Sequence, residues 1–305
     1  MKIAVVGAGG VGTFYGALLQ RAGHDVHFLA RGPQRETLRS RGIRIASTQL
    51  GEITIPPVPA TDRAEEIGEA NVVLVCVKAH QTEAILDAMA PLVGDRTLIV
   101  PLQNGVETDE VLASRFGRPR VPVAVVYVGA TLDAPGVVSH VANGLILLGA
   151  SPGFDAARLP ELQQALATTG LPVRISDDIQ ADRWRKLIWN ASFNPVSAMT
   201  QKTPGELLAD PESRPLLRGL MQEVVAVAQA QGLKVSEKEI DDLIEWTAAT
   251  PSILTSMLVD RERGRAMETD ALVGVVVRKG RDWGVPTPLS ESIYKQLGAL
   301  DARRP

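Results

Sequence analysis

The chain of 305 residues contains one cysteine, four histidines and few aromatic side chains. Its single thiol, Cys76, excludes a disulfide within the chain and is typical of a protein from a reducing compartment. Because Cys76 lies in an apolar run over residues 72–77, we expect a small core residue with no reactive role. The histidines are too scattered to enclose a metal ion, and the nearest pair, His24 and His27, flanks a predicted strand. No metal site is expected.

Long apolar runs and an excess of positive charge are also absent. No segment approaches the ~20 apolar residues that cross a bilayer, and no targeting segment precedes the first predicted strand. The formal net charge is −3 and the pI is about 5.9, whereas nucleic-acid binding needs a concentrated basic surface. We therefore expect a cytoplasmic protein that binds neither membranes nor nucleic acids.

Two patterns divide the chain. Up to about residue 175, short apolar runs alternate with amphipathic stretches, as in βαβ units; after Ser176, helical periodicity dominates. The predicted fold is α/β, with an N-terminal Rossmann-like doubly wound sheet (residues 1–176) followed by an all-helical C-terminal domain (residues 177–305). Strands are predicted at 2–6, 25–29, 72–77, 97–100, 121–128 and 173–175, the last closing the sheet, and hairpins at 43–58 and 137–148. Helices are predicted at 11–22, 81–92, 155–168, 179–193, 214–231, 237–249, 253–263, 268–283 and 289–300.

A glycine-rich loop follows the first predicted strand and opens a helix. It reads Gly7-Ala8-Gly9-Gly10-Val11-Gly12 and matches G-x-G-x-x-G. Gly7 allows a tight turn, Gly9 lets a pyrophosphate approach the backbone, and Gly12 lets the helix pack closely on the sheet. The motif alone also fits a glycine turn in other α/β proteins, but its position between strand and helix favours a dinucleotide site.

The end of the second predicted strand bears on the choice of cofactor. Enzymes specific for NAD place a carboxylate there for the ribose 2′-hydroxyl, whereas this chain has Leu29-Ala30-Arg31. The guanidinium of Arg31 can donate two parallel hydrogen bonds to a 2′-phosphate. Arg31 could also be an ordinary solvated loop residue. We predict NADPH as the cofactor.

Polar residues follow two further predicted strands. Lys78 and Asn104 lie where ligands of open α/β sheets bind, beyond the carboxyl ends of the strands. Lys78 reaches the cofactor or substrate on one interpretation and is a helix-capping or loop residue on the other. The same alternative applies to Asn104, whose amide could orient either ligand.

The predicted helix that opens the second domain carries a polar stripe on an otherwise apolar surface. Lys186, Asn190 and Asn194 recur at i, i+4 and i+8 and so share one face. A helix this apolar is mostly buried, so the stripe should line a wet cavity; the alternative, a solvated stripe, is disfavoured by two asparagines, which are poor helix formers. A partly desolvated lysine is a good proton donor, suited to protonating an alkoxide as hydride arrives.

Several motifs taken together resemble the ketopantoate reductase (2-dehydropantoate 2-reductase) family over essentially the full length. Each motif is weak alone, but their order and spacing are specific. The matching stretches are Lys2-Ile3-Ala4-Val5-Val6-Gly7-Ala8-Gly9, Val77-Lys78-Ala79, Gln103-Asn104-Gly105, His140-Val141-Ala142-Asn143-Gly144, Trp184-Arg185-Lys186-Leu187, Asn190 with Asn194-Pro195, Gly205-Glu206-Leu207, Ser256-Met257-Leu258 and Glu268-Thr269-Asp270.

The resemblance implies a role for each site residue, in a cleft between a Rossmann domain and a helical domain. Lys186 would be the general acid, Glu268 would meet the ribose and support catalysis, and Asn104 would bridge cofactor and substrate. The implied ligands are NADPH and a small 2-oxo acid, bound by a monomer or homodimer. The other implied contacts are Asn190, Asn194 and Ser256 for the substrate, and residues 7–12, Arg31, Lys78 and Ala130 for the cofactor. From composition alone, Ser256 and Glu268 sit among charged residues, Asp260 to Arg265, that read as a solvated face.

Two positions depart from the family pattern. Members often carry asparagine where this chain has Pro204 and Val273, which puts the substrate in question more than the reaction.

The leading prediction is reduction of ketopantoate to pantoate in pantothenate synthesis, with another 2-oxo acid as the alternative. A 3-hydroxy acid or polyol-phosphate dehydrogenase is less favoured, because a phosphorylated substrate calls for extra Arg or Lys. A non-catalytic NADPH-binding regulator would be expected to lose Lys186 or Glu268.

Overall fold

The structure, a computed structural model, describes residues 1–302. They form two compact units that divide between Ile179 and Gln180, close to the predicted boundary after residue 176. The assignment of cofactor binding to the first unit and substrate binding to the second stays a prediction.

The first unit contains ten strands and six α-helices. In chain order the strands are β1 (Lys2–Val6), β2 (Asp25–Leu29), β3 (Ile43–Ser47), β4 (Gly51–Ile55), β5 (Ala60–Thr61), β6 (Val72–Val75), β7 (Leu98–Pro101), β8 (Val123–Ala134), β9 (Val137–Gly149) and β10 (Val173–Ile175). The helices are α1 (Gly10–Arg21), α2 (Gly32–Ser40), α3 (Ala64–Ile67), α4 (Thr82–Met89), α5 (Thr108–Phe116) and α6 (Leu159–Ala167).

A parallel sheet in the order β5-β2-β1-β6-β7 forms the centre of this unit. Alternate residues of β1 enter different apolar clusters: Ile3 and Val5 pack with residues of α1, whereas Ala4 and Val6 pack with residues of α3, α4 and α5. Burial on both faces explains why the strands are continuous apolar runs. The predicted doubly wound α/β fold is confirmed.

A second sheet joins β10, β9, β3 and β4, with β8 paired to β9. The predicted hairpin at 43–58 is confirmed by the antiparallel pair β3 and β4. The hairpin predicted at 137–148 is wrong, because this segment is one strand whose antiparallel partner is β8. Asn143 and Gly144, with φ of 60° and 131°, break the register opposite Tyr127 and Val128 and so make a bulge instead of a turn.

Other differences in the first unit have simple causes. The segment 173–175 pairs with β9 in the second sheet and does not close the first, because a short apolar run does not specify its partner strand. The helices α2, α3 and α5 are missing from the prediction. In α2 only Leu38 is buried, so the helix lacks the apolar repeat by which sequence patterns are recognised.

The second unit is helical, as predicted. The helix predicted at 179–193 continues to Thr200 with Pro195 inside it, and the short helix observed at 204–209 is missing from the prediction. The helix predicted at 268–283 is irregular and includes a π-turn over Asp270–Gly274. The helices are α7 (Ile179–Thr200), α8 (Pro204–Ala209), α9 (Ser213–Ala230), α10 (Glu237–Ala249), α11 (Ser256–Glu262), α12 (Val275–Asp282) and α13 (Pro288–Asp301).

Candidate active site

The glycine loop has the geometry that its sequence predicts. Gly7 has φ of +96°, and a Cβ there would lie 2.7 Å from the backbone nitrogen of Val77. A Cβ on Gly12 would overlap the carbonyl oxygen of Gly7. Around Gly9, in contrast, no described atom outside its chain neighbours comes within 4 Å of the Cβ position. Gly7 and Gly12 are therefore required by packing, whereas Gly9 faces open space.

The start of α1 provides hydrogen-bond donors at this open surface. Gly9 is the N-cap of α1 and offers no side-chain acceptor, and the first turn contains no acidic residue. The first backbone N–H groups of a helix have no partner within the helix and carry partial positive charge. A pyrophosphate against Gly9 would accept from these groups, so the loop fits a dinucleotide.

Strand β8 passes against the same loop. A Cβ on Gly10 would overlap the carbonyl oxygen of Ala130, a residue of β8. Ala130, which the resemblance assigns to the cofactor site, thus lies directly beside the glycine loop. The sequence offers no local signal for this approach, because 120 positions separate the two residues along the chain.

Paired substitutions separate the two kinds of glycine in this loop. Gly12→Ala should lower the unfolding temperature by several degrees, because the added methyl group meets backbone that cannot move aside. Gly9→Ala should leave the unfolding temperature within a few degrees of the wild type but weaken NADPH binding at least tenfold, since the methyl group fills the space for the pyrophosphate. Thermal unfolding and cofactor titration measure the two effects. Unchanged affinity in Gly9→Ala would contradict the proposed cradle.

Arg31 is exposed at the same edge of the sheet. It follows β2 and caps α2, and the end of β2 is joined to the loop because the Gly7 N–H donates to the Leu29 carbonyl oxygen at 3.3 Å. The neighbouring Arg35 is bound to Glu36 at 2.7 Å and Asp62 at 2.6 Å. Within residues 1–302 the Arg31 guanidinium has no carboxylate partner of this kind. Of the two arginines, Arg31 is therefore the one that suits a phosphate.

The side chain of Gln103 links the ends of β6 and β7, a role that the sequence did not predict. The buried Gln103 donates from Nε2 to the carbonyl oxygen of Val77 at 2.9 Å and to Oγ1 of Thr82 at 2.8 Å. This side chain therefore ties the strand end that carries Lys78 to the strand end that carries Asn104. Both residues are half-buried and lie at the carboxyl edge of adjacent parallel strands, as predicted.

The polar stripe of α7 is not solvated. Asn190 and Asn194 are only 7% and 2% exposed, and Lys186 is half-buried. Oδ1 of Asn194 is buried and accepts no hydrogen bond from any described residue. Buried polar atoms are normally satisfied, so an orphaned acceptor on this stripe points to a ligand or a bound water.

Burial and a neighbouring negative charge shift the pKa of Lys186 in opposite directions. Removal of its ammonium group from water lowers the pKa of Lys186 to about 8, and the negative charge of Glu268 opposes that shift. Glu268 is itself buried, at 5% exposure. The structure therefore brings together the two residues that the resemblance names as catalytic. Lys186 can release a proton at a pH close to neutral.

The fall in pKa predicts the pH profile of turnover. If Lys186 is the proton donor, kcat/KM should be flat below about pH 8 and fall about tenfold per pH unit above it. Glu268→Gln removes the charge that raises the pKa, so the fall should begin at a lower pH. Steady-state rates between pH 6 and 10 test both expectations. A rate that rises through pH 8, or an unmoved inflection in Glu268→Gln, would contradict them.

The charged residues from Asp260 to Arg265 are only partly solvated, whereas their composition predicts a fully solvated face. Asp260 is buried and pairs with Arg265 at 3.1 Å. The Arg261 guanidinium donates to the carbonyl oxygens of Ala198 and, at 3.0 Å, Met199, which fastens α11 to the end of α7. Ser256, the first residue of α11, is exposed.

The two departures from the family pattern lie in packed surroundings. Pro204 is buried at the first position of α8, where the missing N–H costs no helical hydrogen bond. Val273 is fully buried in the π-turn. Neither side chain offers a hydrogen-bonding group, so any polar contact that asparagine makes at these positions in relatives is absent here.

No group of three or more His, Cys, Asp or Glu side chains within residues 1–302 could hold a metal ion. In that part of the chain, no helix combines the length and the apolar character needed to cross a membrane.

Comparison with known families decides the relationship. The family model "Ketopantoate reductase PanE/ApbA" matches residues 3–153, and its C-terminal counterpart matches residues 178–301. The chain belongs to the ketopantoate reductase family. Members of this family named 2-dehydropantoate 2-reductase are oxidoreductases, and so is this chain.

Individual ketopantoate reductases cover the whole chain. The 2-dehydropantoate 2-reductase of Mesorhizobium japonicum is 35% identical over 100% of this chain and 99% of its own length. The crystal structure of the enzyme from Geobacter metallireducens is 37% identical, with a TM-score of 0.94 over 98% of this chain and 100% of that one. D-mandelate dehydrogenase with NADH and anilino(oxo)acetate shares the fold, at 22% identity and a TM-score of 0.92 over 99% of this chain and 98% of that one.

Proposed function

We propose that the protein reduces 2-dehydropantoate to pantoate with NADPH, as a step of pantothenate synthesis. The observation that carries this proposal is the half-buried Lys186, whose pKa is lowered to about 8 beside the buried Glu268. A solvated lysine would hold its proton too tightly to act as an acid near neutral pH. The names of the relatives support the same reaction.

In the proposed reaction, the protein supplies the proton and the bound cofactor supplies the hydride. NADPH held at the glycine loop would supply the hydride that reduces the C2 carbonyl of the substrate. Lys186 Nζ donates a hydrogen bond to the carbonyl oxygen and transfers its proton as negative charge develops there. The negative charge of Glu268 helps to keep Lys186 protonated before the transfer.

The proposed cofactor contacts belong to the first unit, apart from Glu268. The open surface at Gly9 and the uncapped start of α1 would hold the pyrophosphate, and Arg31 the 2′-phosphate. Lys78 and Asn104 would lie at the nicotinamide end of the cofactor. Ala130 would also contact the cofactor, and its position beside Gly10 supports that contact.

The proposed substrate contacts belong to the second unit. Asn190 and Asn194 would bind the 2-oxo acid with their amides, and Ser256 would contact its carboxylate. The exposed hydroxyl of Ser256 and the orphaned Asn194 Oδ1 support these roles. Because Pro204 and Val273 carry no polar group, another 2-oxo acid is the second candidate substrate.

The test is NADPH oxidation with the purified full-length protein over a panel of 2-oxo acids that includes 2-dehydropantoate. The expected result is the highest kcat/KM for 2-dehydropantoate. A higher kcat/KM for another acid would support the alternative substrate. No turnover with any 2-oxo acid would overturn the proposed function.

A further inference from the structure

The backbone directly after Glu268 departs from the α-helical pattern. Residues Asp270–Gly274 form a π-turn, in which the Val275 N–H donates to the Asp270 carbonyl oxygen five residues earlier. Turns of this kind are rare and occur frequently at functional sites. The Leu272 N–H, inside the turn, donates to the Glu268 carbonyl oxygen at 3.1 Å. The main chain of Glu268 is therefore bonded directly to the π-turn.

The side chain of Asp270 joins this turn to two helices. Its Oδ1 accepts from the Arg278 guanidinium at 2.6 Å and from the Tyr294 hydroxyl at 2.8 Å. Arg278 belongs to α12 and Tyr294 to α13. The hydrogen bond to the Asp270 carboxylate, together with burial, raises the pKa of Tyr294, so the phenol stays a donor.

Gly274, the last residue of the π-turn, makes room for this carboxylate. A Cβ on Gly274 would overlap Oδ1 of Asp270 and lie 2.9 Å from Cε2 of Tyr294. The Asp270 carboxylate thus lies against the backbone of the turn that it begins. An exposed ion pair usually contributes little to stability, but this carboxylate also receives a second donor and fills a space that only glycine leaves open.

We propose that Asp270 is a positioning residue, which holds the π-turn through Arg278 and Tyr294 and so keeps Glu268 directed toward Lys186. The inference rests on the proposed function, in which Glu268 and Lys186 act together. It adds a role for Asp270, which the sequence motifs leave without one. Because the negative charge of Glu268 opposes the effect of burial on Lys186, a displaced Glu268 would leave Lys186 with a lower pKa.

The experiment measures the pKa of Lys186 in the full-length protein without substrate or cofactor. Trace acetylation with acetic anhydride between pH 6 and 10, quantified by mass spectrometry on the peptide that carries Lys186, gives this value. Asp270→Ala should lower the pKa of Lys186 by about 0.5 pH units or more, in the same direction as Glu268→Gln. The fall of kcat/KM with pH should begin at a correspondingly lower pH.

Two further variants separate positioning from a general loss of structure. Tyr294→Phe removes one donor to Asp270 and keeps the ring, so it should lower the pKa of Lys186 by less than Asp270→Ala. Asp241→Ala is the matched control, because Asp241 pairs with Arg218 at 2.8 Å and its side chain is 58% exposed, as is that of Asp270. Asp241→Ala should leave the pKa of Lys186 unchanged.

An unchanged pKa of Lys186 in both Asp270→Ala and Tyr294→Phe would overturn the positioning role. The same conclusion would follow if Asp241→Ala lowered this pKa as much as Asp270→Ala, since any lost surface ion pair would then suffice. If Asp270→Ala does not fold, the result with Tyr294→Phe decides. If labelling gives the expected shifts but the wild-type protein reduces no 2-oxo acid, the positioning role stands and the proposed function fails.

Discussion

Lys186→Ala should lower kcat by roughly 10²- to 10⁴-fold, the usual contribution of a positioned general acid. The substitution removes the only group of the α7 stripe that can supply a proton, since Asn190 and Asn194 end in neutral amides. NADPH should still bind, because the glycine loop and Arg31 are untouched. Stopped-flow or steady-state NADPH oxidation measures the loss, and fluorescence titration measures the cofactor affinity.

A second lysine of the same unit provides the control. Lys238 is exposed on α10 and pairs with Asp242 at 2.6 Å, so Lys238→Ala removes the same charge without touching the stripe. It should leave kcat within about twofold of the wild type. Turnover by Lys186→Ala at a rate similar to that of Lys238→Ala would remove Lys186 from the mechanism.

Arg31→Ala should weaken NADPH binding roughly 10- to 100-fold, as expected for the loss of charge-assisted hydrogen bonds to a phosphate. NADH lacks that phosphate, so its affinity should change by less than about threefold. Because Arg31 is exposed, the difference should diminish as salt is added. Titration of both cofactors at two ionic strengths, with the wild type and with Arg31→Ala, measures these changes in affinity.

Arg39 is the matched control for this substitution. It is also exposed on α2 but lies in the last turn of the helix, away from the N-cap position that Arg31 occupies. Arg39→Ala should therefore leave the ratio of NADPH to NADH affinity unchanged. Equal losses for the two cofactors in Arg31→Ala would reject the assignment of Arg31 to the 2′-phosphate.

Much of the candidate site could be predicted because its signals are local. The first strand, the glycine turn and the helix that follows are adjacent in sequence, so one window contains the whole phosphate cradle. The stripe of Lys186, Asn190 and Asn194 depends only on helical periodicity, and the burial of its two asparagines agrees with that interpretation. Glu268 was identified only through the family resemblance, since a carboxylate among charged residues has no local signature.

Contacts between distant segments could not be predicted in this way. The amide of Gln103 joins two strand ends, and the carbonyl group of Ala130 lies against Gly10, but neither pairing leaves a pattern in the sequence. The segment 137–148 shows the same limit, because an Asn-Gly pair reads as a turn and becomes a bulge once β8 is its partner.

The sequence by itself determined the α/β class, the helical second unit, the glycine loop and the polar stripe of Lys186, Asn190 and Asn194. These depend on short-range rules of periodicity, turn chemistry and helix starts. Only the tertiary structure decided that burial lowers the pKa of Lys186 beside Glu268 and that Asn194 Oδ1 has no hydrogen-bond partner among the described residues. Desolvation and electrostatic interaction depend on which residues meet in space, and separation along the chain does not encode that.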